Sequence, residues 1–385
     1  MGEHEPSPTR RRKKTWRRLL PLVAGVLLCW GLWQIPGIRT AAVRGGVRLF
    51  GRASVPWLVG ALDDTHATVR RAAAEALGRI SEAAEPAVPA VIHQLGDEDP
   101  GCRTEAARTL GRIGSPALEP LLEAVTDERP TVRQAAVEAL GQIPQESPRV
   151  IPALIRQLTD EDANCRNETA LALGRIGAPA VERLQEAVVS PNPHARASAA
   201  LALGLAGSVA DGAGRKSVQL LAAAITDHDA KVRREASGAL CRLSPACKEA
   251  VGVLSKSLAD ADHEVRRWAA EALFKMDRDA APAFENLLRA LGNDDPKVRW
   301  WAARAVGNLF AASRPTAADG LWFDEKHAWF RHTTRVAAAL ESLVRADNHQ
   351  DVRDAALEAL YHVDSSRAAL LGVQSGNGQY RYEFK

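Results

Sequence analysis

The chain has 385 residues, 46% of them hydrophobic and 25% charged, with a formal net charge of +3. Seven basic groups (Arg10, Arg11, Arg12, Lys13, Lys14, Arg17 and Arg18) stand before residue 19 against Glu3 and Glu5, so the rest carries 43 basic and 45 acidic residues. That balance excludes a generally basic nucleic-acid-binding body, which would carry a positive surplus. The five cysteines form no CxxC pair, which removes support for zinc or iron–sulfur centres. Ala dominates the apolar fraction and no sustained alternating Val/Ile/Thr run occurs, so the composition points to helix.

In chain order, residues 1–18 form a basic tail. Leu19 to Ile38 follows as twenty residues without a charge, long enough as a helix to span roughly 30 Å of hydrocarbon. Trp16, Trp30 and Trp33 lie near its ends, where amphipathic rings favour the interface. The upstream basic cluster predicts a cytoplasmic N-terminus, a transmembrane anchor over residues 19–38, a linker over 39–52 and everything later outside the cytoplasm. The alternative is a cleaved signal and a secreted or periplasmic product, for which Thr40-Ala41-Ala42 is a poor cleavage site.

From residue 53 the chain repeats itself. The segments VRRAAAEALGRI from Val69, CRTEAARTLGRI from Cys102, VRQAAVEALGQI from Val132, CRNETALALGRI from Cys165 and ARASAALALGLA from Ala195 align without gaps. VRREASGALCRL from Val232, VRRWAAEALFKM from Val265, VRWWAARAVGNL from Val298 and VRDAALEALYHV from Val352 continue the series. Counted from the shared Arg, apolar residues fall at −1, +3, +6, +7 and +10, clustering within roughly 100° of a helix. Positions +3 and +6 are nearly always Ala, and +8 is Gly in six of nine segments. A shorter apolar segment, often opened by Pro, precedes each one across a polar turn such as GDEDPG.

This pattern resembles the HEAT repeat, and within it the short variant named after phycobilin lyases, over residues 53–363. The resemblance implies an all-α, right-handed α-solenoid of about nine helix pairs, with no sheet. In that family a turn Asp and a second-helix Arg form a hydrogen-bonded ladder. The implied members are Asp64, Asp97, Asp127, Asp160, Asp227, Asp260 and Asp347, each six residues before Arg70, Arg103, Arg133, Arg166, Arg233, Arg266 and Arg353. Arg196 and Arg299 follow Ser190 and Asn293 instead, which predicts weaker rungs there.

No enzymatic signature accompanies the repeats. The paired His-Glu motifs of deoxyhypusine hydroxylases are missing, since His4-Glu5 and His263-Glu264 are isolated, and so is the cysteine cluster of epoxyqueuosine reductases. The histidines His66, His93, His194 and His228 read as surface residues, and the cysteines as buried small apolar groups, with a Cys241–Cys247 disulfide as the alternative. The expectation is therefore a membrane-anchored protein–protein scaffold with no catalytic, metal or cofactor residues, no small-molecule substrate and no nucleic-acid partner. The alternatives are an accessory subunit of a phycobilin-lyase-like modification enzyme, or a relative of the HEAT-like hydroxylases and oxidoreductases.

Aromatic residues concentrate late in the chain. Trp268 and Trp301 share position +2 one repeat apart, Trp300 sits at +1, and an insertion at about 312–334 carries Trp322 and Trp329. Two readings stay open: the insertion covers Trp300 and Trp301 in a satellite core, or these five tryptophans form a partner-binding patch. Residues 364–385 are expected to be a mobile tail.

Overall fold

A computed structural model describes residues 36–143, 146–207, 212–244, 247–311, 333–371, 373–376 and 379–382. Its contacts divide it into two units, Met1–Glu146 and Ser147–Lys385. The predicted span therefore lies outside the described residues except for Pro36–Ile38. Among the described residues no helix is long and apolar enough to cross a membrane.

The first unit contains α1 (Pro36–Phe50), α2 (Val55–Ala61), α3 (Ala67–Ile80), α4 (Val88–His93), α5 (Pro100–Ile113), α6 (Leu118–Ala124) and α7 (Pro130–Leu140). Helices α3, α5 and α7 are the second helices of three repeats. They stack on one another, and α1 stacks on α3 from the other side. Residues 39–52, expected as a linker, thus largely belong to a helix that packs on α3. The physical reason is visible at two positions: Val43 is fully buried, and Arg39 pairs with Asp64 at 2.5 Å.

The second unit contains α8 (Ser147–Gln157), α9 (Ala163–Ile176), α10 (Val181–Ala187), α11 (Pro193–Ala206), α12 (Gly212–Ala224), α13 (Ala230–Leu243), α14 (Val251–Ser257) and α15 (His263–Lys275). It continues with α16 (Phe284–Ala290), α17 (Pro296–Ala311), α18 (Thr333–Ala346), α19 (Gln350–Val363) and α20 (Ser365–Leu370). Helices α9, α11, α13, α15, α17 and α19 stack successively in one continuous row. The tail departs from expectation. Asp364 caps α20, Ala368 is buried, and β1 (Val373–Gly376) pairs antiparallel with β2 (Gln379–Tyr382).

The second helices start where their sequences stop competing with the turn. Asp99, Asp162, Asp229 and Asp262 each accept a backbone N–H of the first helical turn, at 2.8–3.3 Å, satisfying donors that a helix leaves open. The row packs closely because of its small residues. A Cβ on Gly204 would lie 2.6 Å from the Cα of Ala239, and one on Gly307 2.9 Å from that of Ala359. At these two junctions position +8 meets position +6 of the next helix, backbone against backbone, whereas Gly111 and Gly174 face side chains at +9, Gln142 and Leu205.

The arginines clamp the turns. In all nine repeats the Arg Nη1 donates to the carbonyl six residues earlier, at 2.5–3.0 Å. In some it also reaches forward. Arg70 holds Asp97 at 2.7 and 2.8 Å, Arg196 holds Asp227 at 2.7 and 2.9 Å, Arg233 holds Asp260 at 2.9 and 3.1 Å, and Arg299 holds Asp347 at 2.6 and 3.0 Å. The fork matches the two carboxylate oxygens, so each rung is bidentate. Arg166 and Arg266, which precede Ser190 and Asn293, keep a buried Nε without a partner. Asp127 departs from the pattern: its carboxylate goes to Arg129, at 3.0 and 3.1 Å.

Candidate functional site

The interruption of the small-residue row builds the site. Position +8 is Cys241 in α13 and Phe274 in α15, where most repeats have Gly. Lys275 donates to the Cys241 sulfur at 3.3 Å and pairs with Glu271 at 2.8 Å. Phe274 lies 5.1 Å, centroid to centroid, from Trp301 of α17. Trp300 meets Trp301 edge-on at 4.4 Å. The guanidinium of Arg304 lies over Phe274 at 4.6 Å, Trp300 at 4.8 Å and Trp301 at 5.9 Å. A flat cation on three ring faces gains quadrupole attraction and rigidity, most where water is thinned. Arg304 makes no carboxylate contact among the described residues.

These rings open onto a groove of about 820 Å³. Its floor is Trp300, Trp301 and Arg304 on α17. One bank is Arg267 and Glu271 on α15, and the other is Asp351, Asp354 and Glu358 on α19. Arg267 is already paired with Glu264 at 2.6 Å and Glu271 with Lys275, so the remaining charges are Asp351, Asp354 and Glu358 against Lys297 and Arg304, a small acidic surplus concentrated on α19. Both tryptophans of the floor are half-buried, which leaves ring surface for a visitor.

Of the five tryptophans singled out by sequence, Trp300 and Trp301 come together here. Trp268 is half-buried under Arg267 at 4.9 Å, beside Gly238, and does not line the groove. Trp322 and Trp329 lie outside the described residues. Phe274, Arg304 and the acidic bank were not anticipated. The signal for Phe274 was its place in a Gly column, and for Arg304 its place at +5, where four other repeats carry Glu.

The groove offers no obvious chemistry. Among the described residues no three His, Cys, Asp or Glu side chains gather as metal ligands. Cys241 and Cys247 are separate thiols, so the alternative disulfide is not formed. Burial pushes the thiols of Cys102, Cys241 and Cys247 up to about 11, which keeps them protonated and poorly nucleophilic at neutral pH. Lys275 is held in its charged form: burial opposes this, but Glu271 and the Cys241 sulfur outweigh it and raise its pKa.

Comparisons with known proteins fit this architecture. HEAT repeats match residues 55–141, 88–173, 151–213 and 217–306. The chain is 34% identical over 159 residues, 39% of its length and 76% of the relative's, to an uncharacterized phycocyanin operon protein Z of Pseudanabaena tenuis (strain PCC 7409). Among solved structures, yeast importin-beta (Kap95p) aligns with a TM-score of 0.58 at 16% identity, over 84% of this chain and 50% of that one. A Kap95:Nup1 complex aligns with a TM-score of 0.56 at 15% identity, over 87% and 49%. This chain spans about half the length of those structures, and at such identity the likeness is one of fold.

Proposed function

As the chain belongs to the HEAT-repeat family, we propose that it is a binding scaffold whose α15–α17–α19 groove takes a protein partner. The observation that carries this reading is the Trp300–Trp301–Arg304 floor, with both tryptophans half-buried, set beside the acidic bank of α19. Trp and Arg supply most of the binding energy at interface centres, whereas the exposed Glu–Arg pairs elsewhere, such as Glu75–Arg79 at 2.6 Å, contribute only ~0–1 kcal/mol each. The proposal includes tethering: residues 19–38 act as a single membrane span, with the repeats outside the cytoplasm. Helix α1 begins at Pro36, within the last three residues of that proposed span.

Proximity labelling in intact cells, followed by capture from detergent-solubilised membranes, tests the scaffold. The wild-type chain should enrich a defined partner that Trp300→Ala with Asp354→Lys loses. Equal enrichment by a folded double variant would sink the groove as the site. A reporter fused after Lys385 should behave as extracytoplasmic, and a cytoplasmic result would overturn the tether model.

A second reading draws on the phycocyanin operon relative: an accessory role in attaching a bilin to another protein. A groove of this volume falls in the size range of small-molecule sites. Visible absorbance copurifying with the chain would favour it, and colourless protein from a bilin-producing host would remove it.

A further inference from the structure

The ladder contains one vacant acceptor position. In an intact rung the next repeat's Asp does two things. Asp227 accepts the turn N–H of Asp229 at 2.9 Å and fills the fork of Arg196 at 2.7 and 2.9 Å. At the corresponding place Ser190 does only the first, accepting the N–H of Asn192 at 3.2 Å. The atoms that would face Arg166 are missing. Arg166 is 7% exposed, its Nη1 is spent on the carbonyls of Asp160 and Glu161, and its Nε has no partner. No carboxylate pairs with its guanidinium among the described residues. The other irregular rungs of the fold differ: Arg266 reaches Asp294 at 3.0 Å, and Asp127 is taken by Arg129.

A buried guanidinium with no counter-charge is costly. A water molecule would supply a hydrogen bond but leave the charge uncompensated. We propose that the gap between Arg166 and Ser190 binds a small monovalent anion, of which chloride is the simplest, at the place the carboxylate occupies in the intact rungs. Nε–H and the Ser190 hydroxyl are its donors. The bound anion then completes the connection between α9 and the turn before α11, and makes that junction responsive to halide concentration.

Hydrogen exchange on the full chain in detergent, with chloride replaced by gluconate at constant ionic strength, tests this. Amides of the 189–196 turn should exchange roughly tenfold more slowly when chloride is about ten times its Kd. The 226–233 turn, whose acceptor is Asp227, serves as the control in the same molecule and should not respond. Ser190→Asp should protect the 189–196 turn without chloride and abolish the response. A wild-type 189–196 turn indifferent to chloride, or equal slowing of both turns, would overturn the proposal even if Ser190→Asp did not fold.

Discussion

Arg39 and Asp64 reproduce, one helix before the first complete repeat, the pairing that joins later repeats. The Arg39 Nη1 lies 2.5 Å from Asp64 and Nη2 lies 3.2 Å from His66 Nδ1, with both partners of the ion pair largely buried. Helix α1 is therefore a half-repeat that covers the apolar face of α3. Removing the charge by Arg39→Ala should destabilise this end by about 1–3 kcal/mol, the range for hydrogen bonds to charged groups. The check is amide exchange over residues 64–80. Exchange should quicken there and stay unchanged in α13–α19, and uniform protection throughout would mean that α1 does not cap.

The contrast between α1 and α3 shows what the sequence could reveal. Helix α3 was legible because its Arg70 recurs eight more times in nearly fixed register, with Ala at the places of Ala73 and Ala76 in most repeats and Gly at that of Gly78 in five more. Trp33, not Asp, stands six residues before Arg39, so Arg39 reads as one of several scattered arginines after an apolar stretch. The groove was half legible for a related reason. Trp300 and Trp301 stand out against an Ala-rich column, but Phe274 becomes meaningful only once position +8 is known to face the next helix. Asp351, Asp354 and Glu358 look like any solvated ridge until α17 is placed beside them.

The ladder makes stability depend on acid. The hydrogen bond from Arg196 chiefly holds the Asp227 carboxyl below its usual range. For Asp97 and Asp347 burial pushes upward, but the bonds from Arg70 and Arg299 and from the turn amides outweigh it, and both are lowered. A carboxyl depressed in the folded state contributes stability above its unfolded value of about 3.9, and that contribution disappears as pH falls through the folded value. The urea midpoint should hold steady from neutral pH to about pH 5 and drop below about pH 4. Asp227→Asn should start lower at neutral pH and fall less steeply. An identical slope for the variant would show that this rung does not report the titration.

Two glycines should respond with opposite sign to the same substitution. Gly204→Ala places a Cβ 2.6 Å from the Cα of Ala239. The obstacle is backbone in a packed helix, so the cost of about 1–3 kcal/mol for overpacking exceeds the ~1 kcal/mol that Ala gains over Gly in a helix. Gly252 in α14 has nothing within 4 Å of its Cβ position, so Gly252→Ala should stabilise by up to ~1 kcal/mol. Urea unfolding of both variants decides it, and a stabilised Gly204→Ala would mean that α11 and α13 can separate at little cost.

Ser81, like Asp277 with its φ of 50°, occupies a positive-φ position that other repeats give to glycine. Its φ of 55° and ψ of −131° lie close to Gly114 at 79° and −135° and Gly177 at 74° and −133°, at the same place after the second helix. A side chain there costs about 1–3 kcal/mol. Ser81→Gly removes it and loses only the long hydrogen bond of 3.4 Å to the carbonyl of Gly78. The variant should gain about 1 kcal/mol in thermal or urea unfolding. A loss would place more value on that hydroxyl than its distance supports.

Trp300 and Trp301 should separate stability from binding. Trp301 sits at the edge of the apolar arc and touches Phe274 of the previous repeat, so it joins α15 to α17. Trp301→Ala opens a half-filled gap and should cost about 2 kcal/mol, below the 3–5 kcal/mol of a fully buried Trp. Trp300 touches only Trp301 and Arg304 among the ring contacts described. Its removal frees one face of Arg304 and should cost about 0.5–1 kcal/mol. For partner capture the order reverses. A hot-spot Trp contributes about 2 kcal/mol or more, which is about 30-fold in Kd, so Trp300→Ala should release the partner while the chain stays folded. Measuring the melting temperature and the affinity on the same preparations gives the answer. If Trp300→Ala keeps full affinity while Trp301→Ala loses only stability, the ring cluster is packing between repeats and the partner binds elsewhere.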